Sequence, residues 1–343
     1  MKLSLIILTI ILSITFTTFG CREKTPPSKE MPPPDILTKS WIMKESWLLR
    51  ESSIPEAKIP ETGASGTQTN SVSGSIAAGA RSRSLSDLSA ILPARGVYIA
   101  ELNPVNYQKA DPAVLRQMGM EPYLISFITA ERLYRERDYR GAVAEYSRSI
   151  GFKSDYADAL EGRGNAWLKT GDAGRAIEDY TRVINLGTNR AEVYNYRGFL
   201  YAERNETEKA VADFSQALRL KPGYADALAN RSRALYMQGD YSKAIDDCTR
   251  LIDLEPENFA AWNRRGSSWY LQKDDNRAIA DFSRAITIKP DFALALHNRG
   301  NAWHSKGDFT KALADLDNAI TIDPGFTAAR ASRDYILQLI ANN

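Results

Sequence analysis

A 34-residue period constrains this chain more than any other feature of its sequence. Residues 259–292 read FAAWNRRGSSWYLQKDDNRAIADFSRAITIKPDF, and the next copy reads ALALHNRGNAWHSKGDFTKALADLDNAITIDPGF. A unit of this length cannot bury its apolar face alone, so the period indicates stacked units that share a continuous core. Six copies follow one another without an insertion, the first two more loosely than the rest: 123–156, 157–190, 191–224, 225–258, 259–292 and 293–326.

Large and small residues recur at fixed positions in each copy. A large apolar residue is followed four positions later by a small one and, three further on, by another large one, as in Trp262, Gly266 and Trp269. Spacings of three and four place all three on one side of a helix. A second segment pairs an alanine with a core residue four positions later, as in Ala278 and Phe282. Each copy is therefore predicted to form two packed amphipathic helices.

Glycine and proline mark where these helices end. Three glycines, each followed by aspartate, indicate the turn between paired helices: Gly171, Gly239 and Gly307. Proline cannot continue the helix that it follows. It closes four of the copies: Pro222, Pro256, Pro290 and Pro324.

The whole pattern resembles the tetratricopeptide repeat over residues 123–326. The resemblance implies an all-α fold, a right-handed superhelical solenoid of about six helix-turn-helix repeats, with a concave surface lined mainly by the first helix of each pair. The early copies depart from the pattern, since Ser154 and Thr188 replace the proline and Ser126 replaces the first large residue. The first copy is either a degenerate capping repeat or a weaker member.

The residues after 326 continue at helical spacing, with Ala328, Ala331, Tyr335 and Leu339 on one predicted side. A solenoid needs a cover for its last apolar face. Residues 327–343 are therefore predicted to be a capping helix and tail.

The N-terminus is a segment of another class. Lys2 precedes an uncharged apolar stretch that ends at Gly20 and Cys21. Because this stretch is shorter than the roughly 20 residues of a transmembrane helix, residues 1–20 predict a cleaved secretory signal. A cysteine directly after a small residue resembles the lipobox of bacterial lipoproteins, which implies cleavage before Cys21 and diacylation of its thiol. The alternatives are an uncleaved membrane anchor and ordinary secretion with an incidental cysteine.

Residues 21–122 lack the period and are predicted to be a mostly disordered, lipid-anchored tether. They contain proline clusters, and 64–84 consists mainly of Gly, Ser, Ala and Thr, a composition that cannot bury enough surface to offset chain entropy. Two apolar islands interrupt the segment. Residues 41–49 could form one face of a short helix, and 97–100 a short strand. Each is either a transient local element or a docking segment for a partner or for the repeats themselves.

The sequence shows no constellation for catalysis, a metal or a cofactor. His297 and His304 lie seven positions apart, about 10 Å along a helix, which is too far for two ligands of one metal. Cys248 occupies a column otherwise held by Tyr, Phe and Leu, which predicts a buried thiol. The net charge of +2 gives no electrostatic argument for nucleic acid. We therefore predict a protein that is not an enzyme and needs no cofactor.

Two charged columns follow the repeat. Arginine precedes the small residue in five copies (as at Arg265), and a carboxylate precedes the second-helix core residue in all six (as at Asp281). The arginines form either a basic stripe for an anionic ligand or a series of ion pairs between helices. The equal periodicity of both columns favours ion pairs, in which the planar guanidinium fits a carboxylate.

The remaining first-helix positions are predicted to point away from the second helices and to contact a protein or peptide partner. They are rich in amide, guanidinium and aromatic groups, which suit an extended peptide. We call this set the first-helix face: Asn195, Tyr196, Phe199, Asn230, Arg233, Tyr236, Asn263, Arg264, Ser267, Tyr270, His297, Asn298, Asn301 and His304. A carboxylate clamp, as in some relatives, is not supported, because Asn195, Phe199 and Ala260 break its pattern.

These features predict a lipid-anchored scaffold or adaptor of the bacterial envelope that faces the periplasm or the cell surface. Arg22, rather than aspartate, follows the acylated cysteine, and by resemblance to a sorting rule of some bacteria this favours the outer membrane. One alternative is an accessory lipoprotein of an envelope assembly or transport complex, which could hold a small ligand. The other is an enzyme regulator or an enzyme.

Overall fold

The computed structural model describes residues 111–117 and 119–342, which are almost entirely helical and contain no strand. The predicted signal segment, Cys21 and nearly all of the predicted tether, with both apolar islands, lie outside these residues. The helices of the described chain are α1 (Pro112–Gln117), α2 (Pro122–Arg135), α3 (Tyr139–Phe152), α4 (Ala157–Thr170), α5 (Ala173–Asn185), α6 (Ala191–Glu203), α7 (Thr207–Leu220), α8 (Ala225–Gln238), α9 (Tyr241–Leu254), α10 (Phe259–Leu271), α11 (Asp275–Ile288), α12 (Ala293–Ser305), α13 (Phe309–Ile322) and α14 (Thr327–Ala341).

Helices α2 to α13 form six successive pairs. The even-numbered member of each pair is the first helix of a repeat, and the odd-numbered member is the second. Each first helix packs on its own second helix, and each second helix packs on the first helix of the next repeat. This order of contacts confirms the prediction of an all-α solenoid built from helix pairs.

The small residue of each first helix allows a core side chain of the second helix to approach closely. A Cβ atom at Gly266 would lie 2.8 Å from Cε1 of Phe282, and one at Gly164 would lie 2.8 Å from Cε1 of Tyr180. The fourth repeat instead has Ser232 opposite Cys248, whose thiol is fully buried as predicted. A larger residue in the first helix is thus matched by a smaller one in the second.

The turn inside each repeat needs one residue in the left-handed region. Gly171, Gly239 and Gly307 have φ of 85°, 87° and 80°, which confirms the prediction made from these glycines. The same position in the other repeats has positive φ without glycine. These residues are Arg137, Asn205 and Lys273, with φ of 63°, 58° and 65°.

The charged columns form ion pairs, as their shared periodicity predicted. Arg265 donates from Nε and Nη2 to the two carboxylate oxygens of Asp281, at 2.8 Å each. Its Nη1 donates to Oγ1 of Thr249 on the preceding second helix, at 3.1 Å. One guanidinium therefore joins three helices, and this hydroxyl partner was not foreseen from the sequence. The same three-way contact recurs around Arg163, Arg197, Arg231 and Arg299.

A short helix that the sequence did not predict precedes the first repeat. Helix α1 places Leu115 in a core cluster with Leu124, Ile125 and Ile128 of α2, together with Met120. The C-terminal part of the range assigned to the tether thus covers the apolar start of the first repeat.

Residues 325–342 belong to a separate unit. Helix α14 lies within the range where a capping helix is predicted, and it buries Ala328, Ala329 and Ile336. Ala331 of the predicted apolar side is exposed, and Tyr335 is partly exposed. The buried side is therefore turned relative to the predicted one, and the capping role remains a prediction. None of the described helices is both long and apolar enough to cross a bilayer.

Candidate binding face

The first-helix face divides into partly exposed and buried side chains. The partly exposed members are Tyr196, Phe199, Asn230, Arg233, Tyr236, Arg264, Tyr270 and His304. The buried members are Asn195, Asn263, Ser267, His297, Asn298 and Asn301. Most of the polar groups in this set are thus much less accessible than the repeat pattern suggested. Their role in binding a partner remains a prediction.

Amide side chains of this face hydrogen-bond from one repeat to another. Asn230 donates from Nδ2 to Oδ1 of Asn195 at 3.1 Å, and Asn298 donates in the same way to Asn263 at 3.1 Å. The partners are 35 positions apart in both pairs. Each bond joins two first helices, so the amides stabilise the stacking of repeats.

Arg264 also contacts the preceding repeat. Its Nη1 donates to the carbonyl oxygen of Ala229 at 3.1 Å and to Oγ of Ser232 at 3.2 Å. Burial raises the pKa of the Cys248 thiol, and the positive charge of Arg264 partly opposes this shift. Cys248 is the smallest residue of its column, in which four of the other repeats have a tyrosine or phenylalanine ring. Arg264 of the fifth repeat thus interacts with both residues of the Ser232–Cys248 pair in the fourth repeat.

Four of the eight partly exposed members of this face are tyrosine or phenylalanine. Tyr196 stacks on Tyr180 with ring centroids 6.0 Å apart and an interplanar angle of 28°. Burial raises the pKa values of Tyr196 and Tyr270 to about 12. Both phenols are therefore neutral at physiological pH and can donate or accept a hydrogen bond while their rings offer apolar contact area.

The first two repeats contribute carboxylates that were not predicted as part of the face. Arg190 donates to Glu161 and to Asp158, joining the turn before α6 to α4. The Tyr146 hydroxyl donates to Glu131, whose pKa burial raises. Glu131 and Glu161 are the acidic residues of their columns, and a search for recurring columns overlooks a residue type that occurs once in a column.

Tyr146 reaches Glu131 because Gly162 leaves room for its ring. A Cβ atom at Gly162 would lie 2.4 Å from Cζ of Tyr146. This glycine is not part of the small-residue column, so the period did not point to it.

His297 is buried on α12, with Nε2 3.1 Å from Nδ2 of Asn301. Burial lowers its pKa to about 4, and a hydrogen bond with Asn298 opposes this shift. Because the folded-state pKa lies below the usual value of about 6.5, the imidazole stays neutral in the folded chain. As the pH falls from about 6.5 towards 4, the unfolded chain takes up a proton that the folded chain does not, and stability is lost.

We expect acid destabilisation to be reduced in the variant His297→Asn. Between pH 7 and pH 4.5 the parent should lose about 2 kcal/mol more unfolding free energy than the variant, since one pKa unit corresponds to about 1.4 kcal/mol. Urea unfolding of both chains at the two pH values measures this difference. His304 titrates in both and serves as an internal control. The prediction would be contradicted if the difference in unfolding free energy between parent and variant is the same at both pH values.

No cluster of His, Cys, Asp and Glu that could hold a metal occurs among the described residues. The partly exposed side chains of the face offer contact area and hydrogen-bonding groups.

Comparisons with known proteins agree with the fold. One tetratricopeptide repeat model matches residues 293–326, and a second matches 129–191, 197–254 and 240–293. The comparison with curated proteins finds no match.

Two crystal structures illustrate the likeness of fold. YrrB, described as a TPR protein with an unusual peptide-binding site, is 18% identical with a TM-score of 0.51, and the match covers 54% of this chain and 95% of YrrB. PilW, described as a widely conserved type IV pilus biogenesis factor, is 19% identical with a TM-score of 0.50, covering 61% of this chain and 97% of PilW.

The matched residues span more than half of the chain, and the fold is one that typically serves as a non-catalytic scaffold for protein interactions. The 34-residue period, the order of helix contacts and the repeat models agree, and this chain belongs to the tetratricopeptide repeat family.

Proposed function

We propose that this protein is a lipid-anchored scaffold of the bacterial envelope that binds an extended segment of a partner protein on its first-helix face. The observation that carries the proposal is a run of partly exposed aromatic and arginine side chains on three successive first helices. These residues are Tyr196, Phe199, Arg233, Tyr236 and Tyr270.

The chemistry of these side chains suits an irregular or extended polypeptide. Tyrosine and phenylalanine supply large contact areas while losing little conformational entropy. The planar guanidinium of arginine can stack on a ring or donate to backbone carbonyls and carboxylates. Recognition through the amides contributes less than the sequence suggested, because Asn195, Asn263 and Asn298 are buried. The tetratricopeptide fold can carry a peptide site, as in YrrB.

The lipid anchor of this proposal rests on the sequence around Cys21. A charged start, an uncharged apolar stretch and a cysteine after glycine are the parts of a lipoprotein signal. Two or more acyl chains hold a protein firmly, whereas one chain binds only marginally. A tether of about 100 residues then raises the local concentration of envelope partners without imposing an orientation.

Photocrosslinking in cells tests the binding face. A photoreactive residue at Tyr196, Tyr236 or Tyr270 should capture the same partner protein from all three positions. Reversing the charge of a neighbouring side chain with Arg233→Glu should reduce the yield severalfold. A photoreactive residue at Asp253, which is exposed on the second helix α9, serves as the matched control and should capture nothing specific. Absence of any adduct from the three tyrosine positions would refute the binding face.

The same cells test the anchor. The parent chain should incorporate a radiolabelled fatty acid and sediment with the membrane fraction, and Cys21→Ser should abolish the label. A parent chain without the label would exclude acylation of Cys21 as the attachment, even if the crosslinks are still formed.

A further inference from the structure

Three successive first helices carry a carboxylate in their first turn. Asp158, Glu192 and Asp226 are the second residues of α4, α6 and α8, and each is partly exposed. Glu192 precedes Tyr196 by four positions, so the two side chains lie on the same side of α6. Because the three carboxylates occupy one column of the repeat, they form a row beside the first-helix face, which we call the acidic row. The other repeats have an apolar residue in this column: Leu124, Ala260 and Leu294.

The third and fourth repeats differ in the group that lies opposite this carboxylate. In the third repeat, Nζ of Lys221 at the end of α7 lies 3.3 Å from Oε1 of Glu192. In the fourth repeat, Glu255 at the end of α9 takes the position of Lys221. Burial raises the pKa of Asp226, and the negative charge of Glu255 raises it further. The fourth repeat therefore has two carboxylates where the third has an ion pair.

Negative charge around the acidic row exceeds positive charge. Arg190 donates to both Asp158 and Glu161, so one guanidinium serves two carboxylates. The helix dipole favours an acidic residue in a first turn, but it does not relieve the repulsion between Asp226 and Glu255. A cationic side chain placed between these two relieves it. The row and its neighbours comprise five carboxylates and two cations: Asp158, Glu161, Glu192, Asp226, Glu255, Arg190 and Lys221.

The spacing of the acidic row favours one backbone conformation for a segment that lies along it. Packed helices are roughly 8–10 Å apart, and α6 packs on α8, so neighbouring carboxylates of the row recur about every 9 Å. In a polyproline II helix, three residues advance about 9.3 Å and every third side chain points the same way. Side chains on one side of a β-strand recur about every 6.8 Å, which does not match.

We propose that the partner segment bound on the first-helix face is basic and adopts a polyproline II conformation, with lysine or arginine at every third position against the acidic row. This inference rests on the proposed function, because it names the chemistry of the segment that the face binds. The ring of Tyr196 lies beside the row and offers apolar surface to the aliphatic part of a lysine or arginine side chain. Opposite charges on the two partners also guide their encounter.

Peptide binding to the purified full-length protein tests the charge preference. Three fluorescein-labelled nonapeptides, built from three Lys-Pro-Pro, Gln-Pro-Pro or Glu-Pro-Pro units, are compared by fluorescence anisotropy. The lysine peptide should bind about tenfold more tightly than the glutamine peptide, since one exposed ion pair contributes up to about fivefold. The glutamate peptide should bind most weakly. Raising the salt concentration from about 50 mM to about 500 mM should reduce the difference between the peptides.

Charge variants locate the binding site of the lysine peptide. Asp226→Asn should weaken its binding about threefold. Glu255→Lys restores the pairing that Lys221 makes in the third repeat, so it should raise the midpoint of thermal unfolding while it weakens binding of the lysine peptide about tenfold. A gain in stability together with a loss of affinity separates this effect from misfolding. Glu178→Gln, at an exposed position of the second helix α5, is the matched control and should change neither quantity.

The results distinguish this inference from the proposed function. A lysine peptide that binds no more tightly than the glutamine peptide, or whose affinity is unchanged by both Asp226→Asn and Glu255→Lys, overturns the basic specificity. If the photocrosslinks from Tyr196 and Tyr236 still form in that case, the binding face stands and only the chemistry of its partner is wrong. If those crosslinks are absent as well, the proposed function fails with it.

Discussion

Asp281→Ala should lower the unfolding free energy by about 3 kcal/mol, as expected when one partner of a buried ion pair is removed. The carboxylate accepts two hydrogen bonds from Arg265, and the two side chains are only 8% and 17% exposed. Removing it leaves a guanidinium largely out of water, with the Thr249 hydroxyl as its remaining contact in this group. Urea unfolding of parent and variant measures the effect. Asp291→Ala, at an exposed position, is the matched control and should change stability by less than about 0.5 kcal/mol.

A double-mutant cycle shows whether the loss comes from this pair. Arg265→Leu and Asp281→Ala together should cost less than the sum of the single substitutions, with a coupling energy of about 2 kcal/mol. The double variant has no stranded charge, so its stability should approach that of a chain with an apolar contact at this place. If the loss of unfolding free energy in the double variant equals the sum of the two single losses, the ion pair is not the source of the stability.

Gly266→Val should destabilise the fifth repeat by about 3 kcal/mol, at the upper end of the usual cost of overpacking a core. Its Cβ atom would lie 2.8 Å from the ring of Phe282 and 3.2 Å from the carbonyl oxygen of Ala278. The ring cannot move freely, because it packs in a cluster with Ile279 and Ala302. Thermal or urea unfolding measures the loss. Gly151→Val tests a helical glycine with nothing within 4 Å of its Cβ position and should be nearly neutral.

The fourth repeat suggests a compensating change. It combines Ser232 with Cys248 where the fifth combines Gly266 with Phe282. Gly266→Ser alone should therefore destabilise, and Phe282→Cys in the same chain should restore part of the loss by making room for the hydroxymethyl group. If the double variant is less stable than Gly266→Ser alone, the prediction is wrong. Steric matching between the two positions would then not decide which residues they can hold.

The helix pairs were predictable because their packing repeats. A column such as Gly266 with Phe282, or Arg265 with Asp281, occurs in several copies at one spacing. A contact inferred in one copy can thus be checked against the other copies. The five guanidinium–carboxylate contacts were predicted in this way, from two charged columns with the same period. The hydroxyl partner Thr249 was missed because Ser and Thr alternate in its column, which conceals their shared role.

The binding face was less predictable for the opposite reason. Most of its positions carry different residues in successive repeats, so one copy says little about the next. Asn263 and Asn298 were predicted to face a partner, whereas the structure has them hydrogen-bonded to each other. Arg264 was placed in the same set, and its guanidinium lies between two repeats.

The sequence alone predicted the pairing of helices and the main contacts within a pair, because large, small and charged columns recur with a 34-residue period. Only the tertiary structure decided which first-helix side chains remain accessible. The exposure of Asn298 or Tyr270 depends on how far each first helix is rotated and shifted relative to the next. The packing of both neighbouring helices together sets that rotation and shift. The period is the same for any such rotation, so it contains no information about which groups meet a partner.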